Sequence, residues 1–224
     1  DTQKLIHLYI ISAAMSHLHC NKIIHGHLKP NNILINDQYN PIITDFLFKK
    51  LTRQYQNNYL ESNTKDKRTI IYLPPEVIFD SQYSKAGDVY SFSMIAYQIV
   101  SGDEPFNNCS YDEVLDKLKN GERPEFNFSI SAPLKKLIEK CWSQEPSNRP
   151  TFSKICEELI IDSEFITETA EKERFLSFTN TIKFFKDEED EENTRHSSKR
   201  LSSKNKKKSK SSIKSSDFIR NELE

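Results

Sequence analysis

The sequence predicts an α+β fold that is mainly α, a helical bundle with one small β-hairpin. Apolar residues recur at helical spacing through most of the first 160 positions, and two short extended runs flank one turn. With 36% hydrophobic residues, the 224-residue chain can bury one core of ordinary size but not two. We therefore expect one folded domain over residues 1–160, a helical extension over residues 161–186 and a tail over residues 187–224.

The first twenty residues predict a helix with one buried stripe, and a hairpin follows it. The stripe consists of apolar residues three or four positions apart: Leu5, Leu8, Ile11, Met15 and Leu18. The strands of the predicted hairpin are residues 33–35 and 41–44, and Asn36-Asp37 favours the turn between them. Residues 47–68 are polar and show no sustained period, which predicts a long surface loop.

The second half of the domain predicts four more helices. One covers residues 89–99, begins at Asp88 and ends at Gly102, and its apolar character on several sides predicts central burial. The other three cover residues 111–118, 133–142 and 151–160. Ser131 is placed to cap the second of these three.

Blocks of charge dominate the end of the chain. Residues 187–192 are all acidic, and the run 197–216 is rich in serine and lysine. Such blocks cannot bury a core, so we expect the tail to be disordered. The lysines between positions 204 and 210 leave two interpretations open: solvated disorder, or a signal for nuclear import or nucleic-acid binding.

Composition and charge narrow the classes of partner and compartment. A net charge of -1 produces no overall field toward nucleic acid or a membrane surface, so we expect neither partner. The apolar runs are shorter than the roughly 20 residues that span a bilayer, and no secretory signal precedes the first helix. Four dispersed cysteines predict neither disulfides nor a metal site, which favours an intracellular, cytoplasmic location, with nuclear import through the basic tail as the alternative. Because the chain begins at Asp1 and not at methionine, we expect it to be part of a longer protein.

Five motifs, in the right order, resemble those of protein kinases. They are similar to the catalytic loop, the metal-binding triplet, the end of the activation segment, the start of the central helix and the closing helices: residues 25–32, 45–47, 69–76, 88–93, and 141–142 with 149–150. The similarity extends from Leu5 to about Ile160, and the motifs are nearest those of the tyrosine-kinase-like group of Ser/Thr kinases.

The resemblance implies which residues would bind nucleotide and metal. Asn32 and Asp45 occupy the two metal-ligand positions, and Mg²⁺ prefers hard oxygen donors of this kind. Lys29 occupies the position of a lysine near the transferred phosphate, and Leu34 the position beneath the adenine ring. These residues could still support weak binding of ATP and Mg²⁺.

Three positions depart from the family pattern. His27 stands where the family has its catalytic aspartate, and Gly26 where it has the arginine that binds a phosphorylated loop. Leu47 replaces the glycine of the metal-binding triplet. A neutral imidazole could accept a proton, since its ordinary pKa lies near 6.5, but it is bulkier than a carboxylate and has no negative charge. We therefore interpret His27 as a lost base.

Parts of the family's nucleotide site have no counterpart in the sequence. The four glycines, Gly26, Gly87, Gly102 and Gly121, are too far apart to form a loop over the phosphates. No strand carrying a lysine precedes the first helix. The sequence therefore predicts the C-terminal lobe of a kinase domain, without the glycine-rich N-terminal lobe.

Other motif residues predict structural roles. Glu76 and Arg149 resemble the buried ion pair that connects the activation segment to the last helices. Asp88 resembles a helix cap that also accepts hydrogen bonds from the catalytic-loop backbone. His25 and Phe46 are expected to pack against each other.

The sequence leaves three functions open. The first is a pseudokinase-type signalling module, impaired in catalysis, whose helical lobe binds or scaffolds a protein partner. The alternative is an active Ser/Thr kinase that transfers the γ-phosphate of ATP to protein hydroxyls, with His27 as an unusual base. The third is a structural remnant that no longer binds nucleotide.

Overall fold

Helices and one hairpin account for the regular structure of the chain. The computed structural model describes residues 1–45, 66–161 and 171–182. Within these ranges the elements follow in the order α1 Thr2–Cys20, β1 Ile33–Ile35, β2 Pro41–Ile43, α2 Lys67–Ile70, α3 Pro75–Asp80, α4 Lys85–Ser101, α5 Tyr111–Lys119, α6 Ala132–Cys141, α7 Phe152–Ile161 and α8 Lys172–Thr181. Single 3-10 turns lie at Pro30–Asn32 and Pro146–Asn148. This order confirms the predicted α+β fold, mainly α.

The hairpin forms where the alternating apolar runs and the Asn36 turn predict it. Strands β1 and β2 pair antiparallel, with Leu34 opposite Ile42. The Asn36 side chain accepts hydrogen bonds from the backbone N–H groups of Gln38 and Asn40, at 3.0 and 2.9 Å, and so closes the turn. Leu34 and Ile42 are both exposed, so the hairpin presents an apolar surface next to residues 25–32.

Helix α4 lies at the centre of the core. Every residue from Gly87 to Tyr97 is buried, which confirms the central burial that its apolar sequence predicts. The helix begins three residues earlier than predicted, at Lys85, because the Ser84 side chain accepts from the Gly87 N–H at 3.0 Å. Asp88 therefore lies in the first turn and is not the cap.

Two short helices correct the sequence prediction around residue 70. Helix α2 occupies the last two positions of the predicted long loop, because Asp66 caps it through the Arg68 N–H and the buried Thr69 and Ile70 anchor it. Helix α3 begins at Pro75, a residue whose fixed φ suits the first turn of a helix. Residues 46–65, which include the rest of that predicted loop, lie outside the described residues.

The ends of α5 and α6 are set differently. Helix α5 has a complete capping box, in which Ser110 and Glu113 each bond the other's backbone N–H. Ser131 was predicted to cap helix α6, and it has the N-cap position. The predicted side-chain cap is absent, however, because the buried Ser131 hydroxyl has no hydrogen-bond partner within the described part of the chain. Pro133 in the first turn favours the helix start instead.

Helix α1 contacts several other helices of the core. It packs against α4, α7 and α8, and α4 packs against α6. The described residues belong to one of two compact units, Asp1–Phe185; the other, Lys186–Glu224, lies outside the described residues, as do the predicted acidic and basic blocks. Helix α8 lies inside the predicted extension, of which residues 162–170 and 183–186 are not described. Across the described ranges, no helix combines the length and apolarity needed to cross a membrane.

Candidate functional site

The loop between α1 and β1 is held by one buried carboxylate. Asp88 Oδ2 accepts from the His25 backbone N–H at 2.8 Å, and Asp88 Oδ1 accepts from the Gly26 N–H at 2.8 Å. His19 Nε2, from the end of α1, lies 2.9 Å from the same Oδ2. The predicted bonds from Asp88 to the loop backbone are thus confirmed, and the central helix positions the loop.

His25 connects this loop to the end of strand β2. Its Nδ1 accepts from the His27 backbone N–H at 3.2 Å, so the ring proton is on Nε2, which donates to the Thr44 carbonyl at 3.0 Å. Burial lowers the pKa of His25, against the opposing charge of Asp88, and favours this neutral tautomer. The predicted contact with Phe46 involves a residue outside the described ranges.

His27 and Asn32 are bonded to each other. Asn32 Nδ2 lies 2.8 Å from the His27 carbonyl and 3.0 Å from His27 Nδ1. A carbonyl can only accept, so Nδ2 is the amino group of Asn32, and Nδ1 of the imidazole accepts from it. A neutral His27 then carries its proton on Nε2. The Nδ1 lone pair is therefore used within the loop.

The environment of His27 favours this neutral form. Burial is the largest cause that lowers its pKa to about 4, and the nearby Lys29 charge and His25 ring act in the same direction. The side chain is mostly enclosed, so the charged imidazolium would lose much of its hydration. At neutral pH the ring carries no charge.

The two predicted metal-ligand residues are connected through Thr44. The Thr44 N–H and hydroxyl both donate to the Asn32 carbonyl, at 2.9 and 3.2 Å, and Asp45 follows Thr44 directly. Asp45 is exposed and has a φ of +61°, a left-handed backbone conformation that aspartate adopts more readily than most residues other than glycine. Because Mg²⁺ takes only one or two protein carboxylates, with waters and phosphates completing its shell, an exposed carboxylate beside an amide fits it.

Lys29 and Leu34 lie close to this pair along the chain but have different surroundings. Lys29 Nζ donates to the Thr69 hydroxyl at 3.0 Å, which connects the catalytic loop to α2. Burial lowers the pKa of Lys29, and the charge of Asp66 opposes that effect. Leu34 lies on the exposed face of the hairpin and has no part in the core. Among the described residues, no group of three or more His, Cys, Asp or Glu side chains forms a metal cluster.

Gly26 is constrained by its backbone and by Tyr83. Its φ of +72° lies in the left-handed region, and a Cβ at this position would lie 3.1 Å from Cδ1 of the Tyr83 ring. A side chain here would need both a strained backbone and a displacement of that ring. The ring of Tyr83 packs over the position of the arginine that the resemblance calls for.

The predicted pair between Glu76 and Arg149 is present and bidentate. Arg149 Nη1 and Nη2 lie 2.6 and 3.0 Å from the two Glu76 oxygens. The guanidinium also donates to the carbonyls of Ser143 and Ala86, and it lies 5.1 Å from the centre of the Tyr90 ring. This prediction is confirmed, and the role is structural, because the pair joins α3 to the segment before α7.

Sequence reasoning missed two polar residues of the site. His19, the partner of Asp88, lies four positions after Met15 on the buried stripe of α1. Its place on that stripe is a signal that could have identified it. Thr69 lies within a quoted motif, but nothing in the linear sequence connects it with Lys29, forty positions away.

The sequence that folds into this site matches one known family. The sequence model of one family, described as protein tyrosine and serine/threonine kinase, matches residues 1–159. This chain belongs to the protein kinase family. Proteins of this family act with ATP and Mg²⁺.

Individual kinases show the same relationship at moderate identity. An Arabidopsis thaliana serine/threonine-protein kinase is 34% identical over 154 residues, 66% of this chain and 35% of the relative. A serine/threonine/tyrosine-protein kinase of the same organism is 30% identical over 178 residues, 77% of this chain and 43% of the relative. An RGS domain-containing serine/threonine-protein kinase of Dictyostelium discoideum is 31% identical over 145 residues, 65% of this chain and 12% of the relative. The chain thus spans less than half the length of each of these kinases.

Proposed function

We propose that this chain is the C-terminal lobe of a kinase domain that is impaired in phosphotransfer and acts as a binding or scaffold module in signalling. The lobe comprises residues 1–160, and residues 161–186 extend it. Its partner is a protein, because the family acts on proteins, and its charge offers no general attraction to nucleic acid or membranes.

The observation that carries this proposal is the bonding of His27. The family position requires a carboxylate that accepts a proton from the attacking hydroxyl. His27 instead uses its Nδ1 lone pair to accept from Asn32, and in the neutral tautomer Nε2 is already protonated. Neither ring nitrogen therefore offers a lone pair to a substrate hydroxyl, and the ring brings no negative charge.

The remaining site residues support residual nucleotide binding. Asn32 Oδ1 and the Asp45 carboxylate would hold Mg²⁺, and Lys29 would lie near the transferred phosphate. Leu34, with its exposed apolar side chain, would contact the adenine ring. When bound, Mg²⁺ neutralises phosphate charge, so the expected outcome is weak binding of ATP without efficient transfer.

A second candidate is an active Ser/Thr kinase, favoured by the hydrogen bond that connects Lys29 to Thr69 and so keeps the loop next to α2. In that case His27 would act as the base, and its low pKa of about 4 makes a distinct prediction. Activity would fall only as the pH drops toward 4. A base with the ordinary histidine pKa would instead lose activity below about pH 6.5.

The test is transfer of radiolabelled phosphate from ATP to a protein substrate, using the longest natural polypeptide that contains this chain. We expect the unmodified protein to match the Asp45→Ala variant, and His27→Asp to exceed both. Transfer by the unmodified protein that disappears in Asp45→Ala would refute the proposal. A rise in melting temperature with ATP and Mg²⁺ then separates a nucleotide-binding module from a structural remnant.

A further inference from the structure

Helix α8 is a folded segment beyond the family's own boundary. The kinase family model ends at residue 159, whereas α8 covers Lys172–Thr181. Two of its residues are nevertheless as enclosed as the core: Phe175 is 1% exposed and Thr179 is 6% exposed. They are four positions apart, so they lie on one face of the helix. That face is covered by another part of the chain.

The covering element is α1. The ring of Tyr9 meets the ring of Phe175 edge to face, with centroids 6.2 Å apart. The Tyr9 hydroxyl donates to the carbonyl of Ile182 at 2.7 Å, and the N–H of Glu171 donates to the Thr2 hydroxyl at 2.8 Å. The segment is thus attached to α1 at both of its ends and in the middle.

These attachments are few and lie on one helix. Within the described ranges, every hydrogen bond and ring contact that joins residues 171–182 to another element ends on α1. An element whose hydrogen bonds end mainly on one helix can open while the rest of the core stays packed, because its release exposes a limited interface.

Helix α1 also supports the catalytic loop. Tyr9 and His19 lie on the same 19-residue helix, and His19 is hydrogen-bonded to the carboxylate that holds the His25 and Gly26 backbone. Because Tyr9 and His19 lie on one helix, a contact that restrains Tyr9 also restrains His19. Residues 171–182 and the loop therefore both contact one helix.

We propose that residues 171–182 form a reversible strap on α1. When docked, the strap holds α1 and, through His19 and Asp88, the catalytic loop. When released, it removes one of the interfaces that restrain α1 and so loosens the loop without unfolding the domain. This regulation is independent of phosphotransfer, so it does not rest on the state of His27.

A matched pair of variants tests the strap in the full chain. Thr179 and Thr181 each bond the carbonyl three residues earlier within α8, but Thr179 faces α1 and Thr181 is exposed. Thr179→Glu places a carboxylate in the interface, where its burial is unfavourable, and Thr181→Glu places the same charge in water. Hydrogen–deuterium exchange reports the result for each segment.

In Thr179→Glu we expect exchange in α8 and in the first half of α1 to be faster by on the order of 100-fold, with faster exchange also at the amides of residues 25 and 26. Exchange in α4 should stay unchanged. Three results would overturn the proposal: exchange equal to that of Thr181→Glu, unchanged amides at 25 and 26, or loss of protection in α4, which would make α8 an inseparable part of the core.

A second measurement does not depend on a charged substitution. A specific protease site placed within residues 162–170 allows the connection to be cut after folding. The fragment that begins with the strap should stay bound to the rest through gel filtration, and it should separate when Phe175→Ala removes the ring that packs on Tyr9. The matched variant Ser177→Ala, at an exposed position of the same helix, should not release it. Separation of the fragment without any substitution would overturn the proposal.

Discussion

Replacing Glu76 by glutamine should reduce the free energy of unfolding by about 3–5 kcal/mol. Glutamine keeps the shape of the side chain and removes the charge that faces Arg149. The Arg149 side chain is 0% exposed and that of Glu76 is 13% exposed, so water cannot replace the lost carboxylate. The variant therefore leaves a cation buried without its counter-ion, which costs far more than the net value of the pair itself.

The geometry around Arg149 supports the upper half of that range. Its Nε and Nη1 groups donate to the carbonyls of Ser143 and Ala86, at 2.9 and 3.0 Å, and these carbonyls hold the guanidinium in place. The Arg149 side chain therefore cannot swing into solvent when Glu76 loses its charge. Its cation also remains 5.1 Å from the Tyr90 ring, where it is partly compensated, which keeps the expected loss at or below about 5 kcal/mol.

Urea unfolding of the full chain, followed by fluorescence, measures the change as a shift in midpoint at constant slope. The control is Glu122→Gln, because the ion pair of Glu122 with Lys117 has a similar 2.8 Å distance, but its two side chains are 51% and 38% exposed. That variant should lose less than about 1 kcal/mol. If Glu76→Gln loses no more than Glu122→Gln, burial does not control the value of this pair and the reasoning fails.

Two further predictions concern the catalytic loop. Burial lowers the pKa of His27 to about 4, so as the pH falls the unfolded chain takes up a proton before the folded chain does. The free energy of unfolding should therefore keep its full value above about pH 6.5 and should fall by about 3 kcal/mol between about pH 6.5 and pH 4. His27→Gln should flatten most of that decline in urea midpoints measured against pH, with a remainder from His25, and an unchanged slope would contradict the burial argument. Gly26→Ala should cost more than Gly102→Ala, by about 1 kcal/mol, because both positions have positive φ but only the first meets a neighbour, Tyr83, at 3.1 Å. Equal losses in thermal or urea unfolding would show that the Tyr83 ring moves aside freely.

Local patterns were enough to predict the larger elements. The stripe on α1, the Asn36 turn and the uninterrupted apolar run of α4 each specify structure through neighbouring residues, because periodicity and turn chemistry act over a few positions. Predicted and observed helices agree to within about two residues at most ends, which is the range over which helix ends fray. The start of α4 shows a larger discrepancy, because Ser84 and Asp88 are both residue types that cap helices. Ser84 is the cap, and the Asp88 carboxylate instead accepts hydrogen bonds from the loop.

Motif order predicted the membership of the family and the Glu76–Arg149 pair, but tertiary contacts were needed for the rest of the site. Ser131 has the predicted N-cap position, but its buried hydroxyl makes no hydrogen bond to α6 within the described residues. The bond from Lys29 to Thr69 and the role of His19 depend on residues forty and sixty-nine positions apart. Such pairs have no signature in one sequence, because any polar residue of the loop could have been the partner.

The sequence by itself determined that an imidazole occupies the position of the family's carboxylate, since that is a matter of covalent identity. Only the tertiary structure decided what the imidazole does. Burial sets its charge, and the amino group of Asn32 decides which nitrogen holds the proton. Helix α8 shows the same difference. Its helical pattern depends on neighbouring residues, whereas its packing on α1 depends on contacts with residues far away in the sequence. The physical reason is that protonation and docking depend on the free energy of desolvation, which the whole surrounding fold sets and which no local pattern encodes.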